Sequence, residues 1–380
     1  MRSALPTAVC TGLLSVCLFS ASAEIPNEKY GQLTIDQLPK RGLVVNTFDL
    51  KTLFFDADTQ QVLGIISNGI GANAFEVDRE KGVIHTAETY LTRHTRGERT
   101  DVISTYDLRT LSPVREIRIP PKHASGSPQR YYSGVVSSDS VQLMLVTNIT
   151  PAVSISVADL NSGEFLNEIP TAGCGLVYPA DALSFFQLCG DGSAQLIQLN
   201  DKGDELTRIR SEVFFDLEDD PLMEKPARQG AGWVFNTFKG KVFRLTTKDN
   251  RIEVTSLFTV GDESGDESGD ESGDWRIGGM QPLAIHEPSN LLLLLMHQGG
   301  EGTHKDPGTE VWYVDLATGR TSHRLQLDTP ANSILVSPDT AALLYTSSIV
   351  EDRVHIYDLK TTVLQGVLTE LGAPTILQNL

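Results

Sequence analysis

Basic side chains are in short supply. The 380 residues hold 31 Lys and Arg against 49 Asp and Glu, a formal net charge of -18, and a chain so acidic lacks the clustered cations that neutralise phosphates, which excludes a nucleic-acid binder. It favours solubility and a basic partner instead. Helical patterning is missing too: no amphipathic stretch runs longer than about three turns. Also absent are a nucleophile elbow, a zincin helix, a haem-attachment box and a phosphate loop, so the chain reads as a scaffold rather than a catalyst. The apolar run near the N-terminus is too short for a membrane span. In residues 1–23, Arg2 precedes that run and Ala21-Ser22-Ala23 closes it, the pattern of a secretory signal peptide cut before Glu24. Leu14-Ser15-Val16-Cys17 approaches a lipoprotein box, but Val16 is bulky where a small residue is wanted.

Cysteine is equally sparse. Of four, Cys10 and Cys17 leave with the signal peptide, and Cys174 and Cys189 remain. In an oxidising compartment these two have one intramolecular pairing, a disulfide, with two separate buried thiols as the alternative.

What is present is repetition. "LFFDADTQQVLGII" from Leu53, "VISTYDLRTLSPVREIRI" from Val102 and "VSISVADLNSGEFLNEI" from Val153 share one grammar, as do "VWYVDLATGRTSHRLQL" from Val311 and "VHIYDLKTTVLQGVL" from Val354. Alternating apolar residues run into an aspartate, a polar turn follows, and the alternation resumes, which describes a β-hairpin. The aspartates Asp56, Asp107, Asp159, Asp315 and Asp358 are 51, 52, 156 and 43 residues apart. Two weaker copies, from Ala194 and from Gly240, keep the turn and lose the aspartate, and they fill the long gap. Upstream of the third and seventh hairpins, further apolar strands joined by Ser-Asp or Pro-Asp turns complete sheets of four. A period of about 40 to 50 residues in an all-β pattern predicts a propeller. The expected fold is all-β, a seven-bladed β-propeller over residues 24–380.

One segment breaks the period. "GDESGDESGDESGD", residues 261–274, carries seven carboxylates and no apolar side chain, and without it the formal charge would be -11 rather than -18. It cannot bury surface to offset its ordering entropy, so a flexible acidic insertion is expected. Calcium would suit its oxygens, but the spacing matches no known calcium loop. "GIGANA", Gly69 to Ala74, matches a dinucleotide fingerprint formally, yet the sequence after it alternates like a strand where a helix is required. His297 and His304 flank "QGGEGT"; with no third ligand in spacing, a loop between blade strands is expected rather than a metal site.

Four stretches carry a family resemblance: "TRHTRGERTDVISTYDLRTLSPVREIRIP", whose most specific part is Arg96-Gly97-Glu98-Arg99-Thr100-Asp101; "CGLVYPADALSFFQLCGDGS" from Cys174; "DWRIGGMQPLAIH" from Asp274; and "HQGGEGTHKDPGTEVWYVDLATGR" from His297. In content and order the chain resembles the heavy subunit of the tryptophylquinone amine dehydrogenases, a family that includes methylamine and aromatic amine dehydrogenases. The last stretch lies closer to the aromatic amine branch. The resemblance implies a seven-bladed propeller in the periplasm and an assembly of two heavy and two light subunits. It also implies a tryptophan tryptophylquinone carried by the small, cysteine-rich light subunit, with no cofactor, metal or catalytic residue in this chain. Primary amines would be deaminated oxidatively to aldehyde and ammonia, with electrons passing to a cupredoxin such as azurin or amicyanin. Cys174 and Cys189 match the family's paired cysteines. Where the family presents a phenylalanine to the substrate channel from a Gly-Phe-x-Pro-Asn turn, this chain has Gly69-Ile70-Gly71-Ala72-Asn73, which makes Ile70 the substrate-channel candidate.

The charge cluster from Arg93 to Asp101 has no nucleophile beside it. Alternation puts Arg96, Glu98 and Thr100 on one face and Gly97 and Arg99 on the other, so Arg96, Glu98 and Arg99 are candidates for a structural or interface role. The rival from another class is a freestanding secreted propeller, either a binding module or a metal-dependent, lactonase-like hydrolase. That reading requires Glu, Asn and Asp gathered at the propeller axis.

Overall fold

The computed structural model describes residues 34–70, 75–260 and 275–380. The expected signal peptide, residues 1–23, and the acidic segment 261–274 lie outside the described residues. Seven antiparallel sheets follow one another along the chain, each built of consecutive strands from an inner to an outer edge. The first blade is the exception that closes the ring: Gly42–Thr47, Lys51–Asp56 and Gln61–Ser67 are its outer three strands, and the C-terminal strand Pro374–Asn379 supplies the inner one. Chain ends thereby meet in one sheet, and no open edge is left between first and last blades.

Burial explains the repeat. Seven apolar clusters form, each shared by two adjacent blades. The second and third strands of a blade are covered on both faces by neighbours and read as continuous apolar runs, as in Leu291–Gln298, where Leu292 to Met296 are all buried. Outer strands such as Arg251–Thr259 are covered on one face only and alternate.

The recurring aspartate has a mechanical reason. Each ends the third strand and folds its carboxylate over the following turn: Asp107 Oδ1 accepts from the amides of Arg109 (3.0 Å) and Thr110 (2.8 Å), and Asp159, Asp315 and Asp358 accept in the same way. These are Asx turns, which short acidic side chains make without distorting the strand. The two copies that lack the aspartate solve the problem otherwise. In the fourth blade Asn200 Oδ1 accepts from Lys202 and Asp204. In the fifth, Asp249 and Asn250 both adopt left-handed φ, 49° and 57°, the two-residue hairpin turn for which Asx side chains are suited.

The sixth blade departs from the four-strand expectation. Its innermost position is divided between Trp275–Ile277 and Leu283–His286, both paired with Leu291–Gln298. Gly278 and Gly279 make the break possible: a Cβ on Gly278 would stand 2.5 Å from the His297 ring, and Gly279 has φ of 110° with the Asn332 carbonyl 2.6 Å from where its Cβ would be.

Strand alternation also sorts the connections. Turns between second and third strands, and the crossings from each outer strand to the next blade, emerge on one face of the ring; the Asx turns emerge on the other.

Candidate functional site

On the first of these faces the second blade projects a long hairpin. Val83–Arg93 and Arg96–Asp107 stay paired from Val83↔Asp107 to Arg93↔Arg96, well past the length of the corresponding second-to-third-strand hairpin in the other blades. At its base the crossing from the first blade comes to rest. The Gly69 amide donates to Glu88 Oε1 (3.1 Å) and the Ile70 amide to the Thr89 carbonyl (2.7 Å). Only glycine fits at 69, where a Cβ would sit 2.7 Å from the Thr89 carbonyl oxygen. Ile70 is thus fixed at the hairpin base; Gly71, Ala72 and Asn73 lie outside the described residues. Strand Glu76–Asp78 follows, so no helix is there to receive a dinucleotide.

Glu88 is fully buried. Tyr90 donates to its Oε2 at 3.1 Å, and the Tyr106 hydroxyl lies 3.2 and 3.1 Å from its two oxygens. Burial raises the Glu88 carboxyl above the usual range despite these donors, and burial beside Glu88 raises both phenols. Thirteen residues along, a second buried carboxylate is ionically paired. Asp101, 0% exposed, receives Arg99 bidentately, Nε to Oδ1 and Nη2 to Oδ2, each at 2.8 Å. Thr89 Oγ1 donates to it at 3.0 Å and the His123 amide at 2.7 Å. Arg99 Nη2 also donates to the His123 carbonyl at 2.6 Å. The lock joins the hairpin to the crossing into the third blade.

The structure therefore separates the three charged candidates. Arg96 and Glu98 are exposed near the hairpin tip, while Arg99 is engaged inward. Sequence reasoning passed over Glu88 and Asp101. The available signal was their position: acidic residues inside strands whose flanking residues, Ile84 to Ala87 and Val102 to Ser104, are all buried.

Two buried histidines, His85 and His123, accompany these carboxylates in the second blade and the crossing that follows it. His85 Nδ1 is 2.9 Å from Thr105 Oγ1, and His123 Nδ1 is 2.8 Å from the Ala124 carbonyl, which marks that nitrogen as the donor. Burial pushes both imidazoles down to about 4.

Along the ring axis lies a cavity of about 390 Å³. Its polar lining includes Glu76, Arg130, Lys225, Arg228 and Gln281. Arg130 Nη1 donates to Glu76 Oε1 at 2.6 Å, and that carboxylate outweighs burial and raises the guanidinium. Arg228 rests 5.0 Å from the Trp233 ring centroid and donates Nε to the Gly230 carbonyl at 3.0 Å. No gathering of three or more His, Cys, Asp or Glu side chains occurs among the described residues.

Elsewhere, Cys174 and Cys189 stand directly across from each other on adjacent strands, Cα to Cα 4.0 Å, and form a disulfide. His297 Nε2 is 2.8 Å from Thr303 Oγ1, and His304 stacks on Phe238 with ring centroids 3.7 Å apart. The two are used separately to shape the 298–308 loop. The quinone implied by the sequence resemblance derives from paired tryptophans, and Trp275 and Trp312 have centroids 5.4 Å apart. Trp312 is only 1% exposed and its face is covered by Arg324 at 3.9 Å, so this pair offers an amine no access and does not fit that group.

Against known proteins, a family model described as methylamine dehydrogenase heavy chain matches residues 44–380. Curated relatives bearing that name include one from Paracoccus versutus, 29% identical over 83% of this chain and 72% of its own length. Another, from Methylobacillus flagellatus, is 28% identical over 84% and 79%. Among solved structures, a periplasmic gluconolactonase from Pseudomonas aeruginosa superposes with a TM-score of 0.55 at 14% identity, over 89% of this chain and 98% of its own. A functionally unknown protein from Desulfotomaculum acetoxidans gives the same TM-score at 11% identity, over 89% and 98%. At these identities the two structures speak for the propeller fold alone.

Proposed function

Because the chain belongs to the methylamine dehydrogenase heavy chain family, we propose that it is the heavy, cofactor-free subunit of a periplasmic amine dehydrogenase that converts primary amines to aldehyde and ammonia. The family match across residues 44–380 carries this reading. Its partner is a light subunit in a two-heavy, two-light assembly, whose tryptophan tryptophylquinone supplies the electrophilic carbonyl and the sink for two electrons. Those electrons leave one at a time to a cupredoxin of the azurin or amicyanin type.

This chain's contribution is a rigid docking surface. Among the described residues, six of the twelve exposed large apolar side chains, Phe48, Tyr90, Ile149, Val213, Leu217 and Val350, lie in the second-to-third turns, the projecting hairpin or a blade crossing, all on the face that carries Ile70. The remaining six lie on or beside outermost strands. Exposed apolar side chains gathered on one face mark an interaction site, and we assign it to the light subunit. Arg96 and Glu98 at the hairpin tip supply polar contacts at its rim. Ile70, held by Thr89 beside the Gly69–Glu88 bond, forms one wall of the substrate channel at that junction and helps keep bulk water from the reacting amine.

The rival hydrolase requires carboxylates at the axis to hold a cation. Among the described residues lining the cavity the carboxylate is Glu76, tied to Arg130, and three cationic side chains surround it. That field repels a divalent metal.

Separating the subunits and recombining them tests the proposal. Amine-dependent reduction of a cupredoxin is expected only on recombination, and turnover by this chain alone would refute it. In the reconstituted enzyme Ile70→Phe is expected to shift the preference between a short aliphatic and an aromatic amine by about tenfold, as a changed pocket wall does. Unchanged kcat/KM ratios would remove Ile70 from the channel.

A further inference from the structure

We propose that the axial cavity is a binding site for a small organic carboxylate, with Arg228, Lys225 and Arg130 receiving the anion and the aliphatic wall receiving its hydrocarbon body. In a protein of net charge -18, this cavity concentrates the opposite sign. Three cations line it against one carboxylate, Glu76, which Arg130 already holds. Arg228 and Lys225 form no ion pair among the described residues. Of five guanidinium donor hydrogens, Arg228 commits Nε to the Gly230 carbonyl and Nη1 to that of Pro179, the latter at 3.3 Å. Nη2 has no protein acceptor there and is free to meet a ligand oxygen.

The site is built before any ligand arrives. Tyr131 donates to the Pro226 carbonyl at 2.5 Å, fixing the backbone between Lys225 and Arg228, and Trp233 Nε1 donates to Pro179 at 2.9 Å while its ring backs the Arg228 guanidinium. Burial draws Lys225 below its ordinary value, and the neighbouring Lys305 adds to it against the opposing pull of Glu224. An arriving anion relieves that penalty. Opposite the cations, Leu283, Ile285, Val336, Ile376 and Leu377 present apolar surface, which selects an organic anion over an inorganic one. The volume, about 390 Å³, lies in the range of about 300–1,000 Å³ usual for small-molecule sites. The same charge turns away an ammonium ion, so the axis is separate from any path taken by an amine.

The test does not depend on amine oxidation. Phenylacetate is titrated calorimetrically into the native assembly containing this chain, beside 2-phenylethanol and inorganic phosphate. Saturable binding of phenylacetate is expected, with the neutral alcohol and phosphate each weaker by about tenfold or more, as loss of a charge-assisted contact or of apolar burial implies. Arg228→Gln and Lys225→Gln, verified as folded by circular dichroism, are each expected to weaken phenylacetate by about tenfold, whereas Arg251→Gln on the outer strand of the same blade leaves it unchanged. Absence of saturable binding, equal affinity for phosphate, or wild-type affinity in both cavity variants would each overturn the proposal. Since binding is read by heat, loss of amine turnover in the same preparation would count against the dehydrogenase reading and leave this one standing.

Discussion

Replacing Arg99 with methionine perturbs the lock at the hairpin base most directly. Asp101 is 0% exposed and takes its charged donors from Arg99, two contacts at 2.8 Å, while the Arg99 side chain is itself only 31% exposed. Methionine keeps the stem's packing and removes the charge. The Asp101 carboxylate then keeps two neutral donors, Thr89 and the His123 amide, with no counter-charge. Uncompensated buried charges of this kind cost about 3–5 kcal/mol. Urea unfolding followed by circular dichroism should therefore show a loss of that size for Arg99→Met, against less than about 0.5 kcal/mol for Arg96→Ala at the exposed tip. The double variant Arg99→Met, Asp101→Asn should recover part of the loss, because the unpaired charge is gone. A single variant within about 0.5 kcal/mol of wild type, or a double variant no better than the single, would refute the reasoning.

Three further outcomes are expected. Gly69→Ala forces a Cβ to within 2.7 Å of the Thr89 carbonyl oxygen and should cost about 1–3 kcal/mol in urea unfolding; an unchanged midpoint would show that the crossing is not pinned there. His85 and His123 have folded values near 4 against an ordinary 6.5, so their stabilising share is full above pH 6.5 and is lost as pH falls toward 4. Between pH 7 and 5 that amounts to about 2 kcal/mol each, and His123→Gln should remove its share from the acid slope; an unaltered slope would contradict burial in the neutral form. Cys189→Ser opens a bridge between residues 15 apart and should lower stability by about 3 kcal/mol under oxidising conditions, with an unchanged melting point as the contrary result.

Much of the ring was legible because each blade must hide both faces of its middle strands, and that need writes itself as a period. The aspartates were readable as turn markers, since a short carboxylate capping two amides is local chemistry. Blades four and five were fainter because Asn200 and the Asp249-Asn250 pair reach the same turn by other means. The divided inner strand of the sixth blade was not foreseen: Gly278 and Gly279 are needed there for contacts with His297 and Asn332, residues far along the chain. The site was harder still. Ile70 was reached only through family resemblance, whereas Glu88 and Asp101 take their importance from partners, Gly69 and His123 among them, that no local pattern announces. Alternation put Arg99 on the face opposite Arg96, but which face is engaged follows only from its partners, Asp101 and the His123 carbonyl. The axial cations come from segments around residues 130 and 225 that meet only when the ring closes.

The central claim is that this chain grips a quinone-bearing companion and carries no redox centre itself. The direct measurement is to purify the native complex, resolve its chains under denaturing conditions and stain for redox-cycling quinone. The account predicts a co-purifying smaller, cysteine-rich chain that holds all of the quinone signal; signal on this chain, or its isolation from the native source without such a companion, would contradict it.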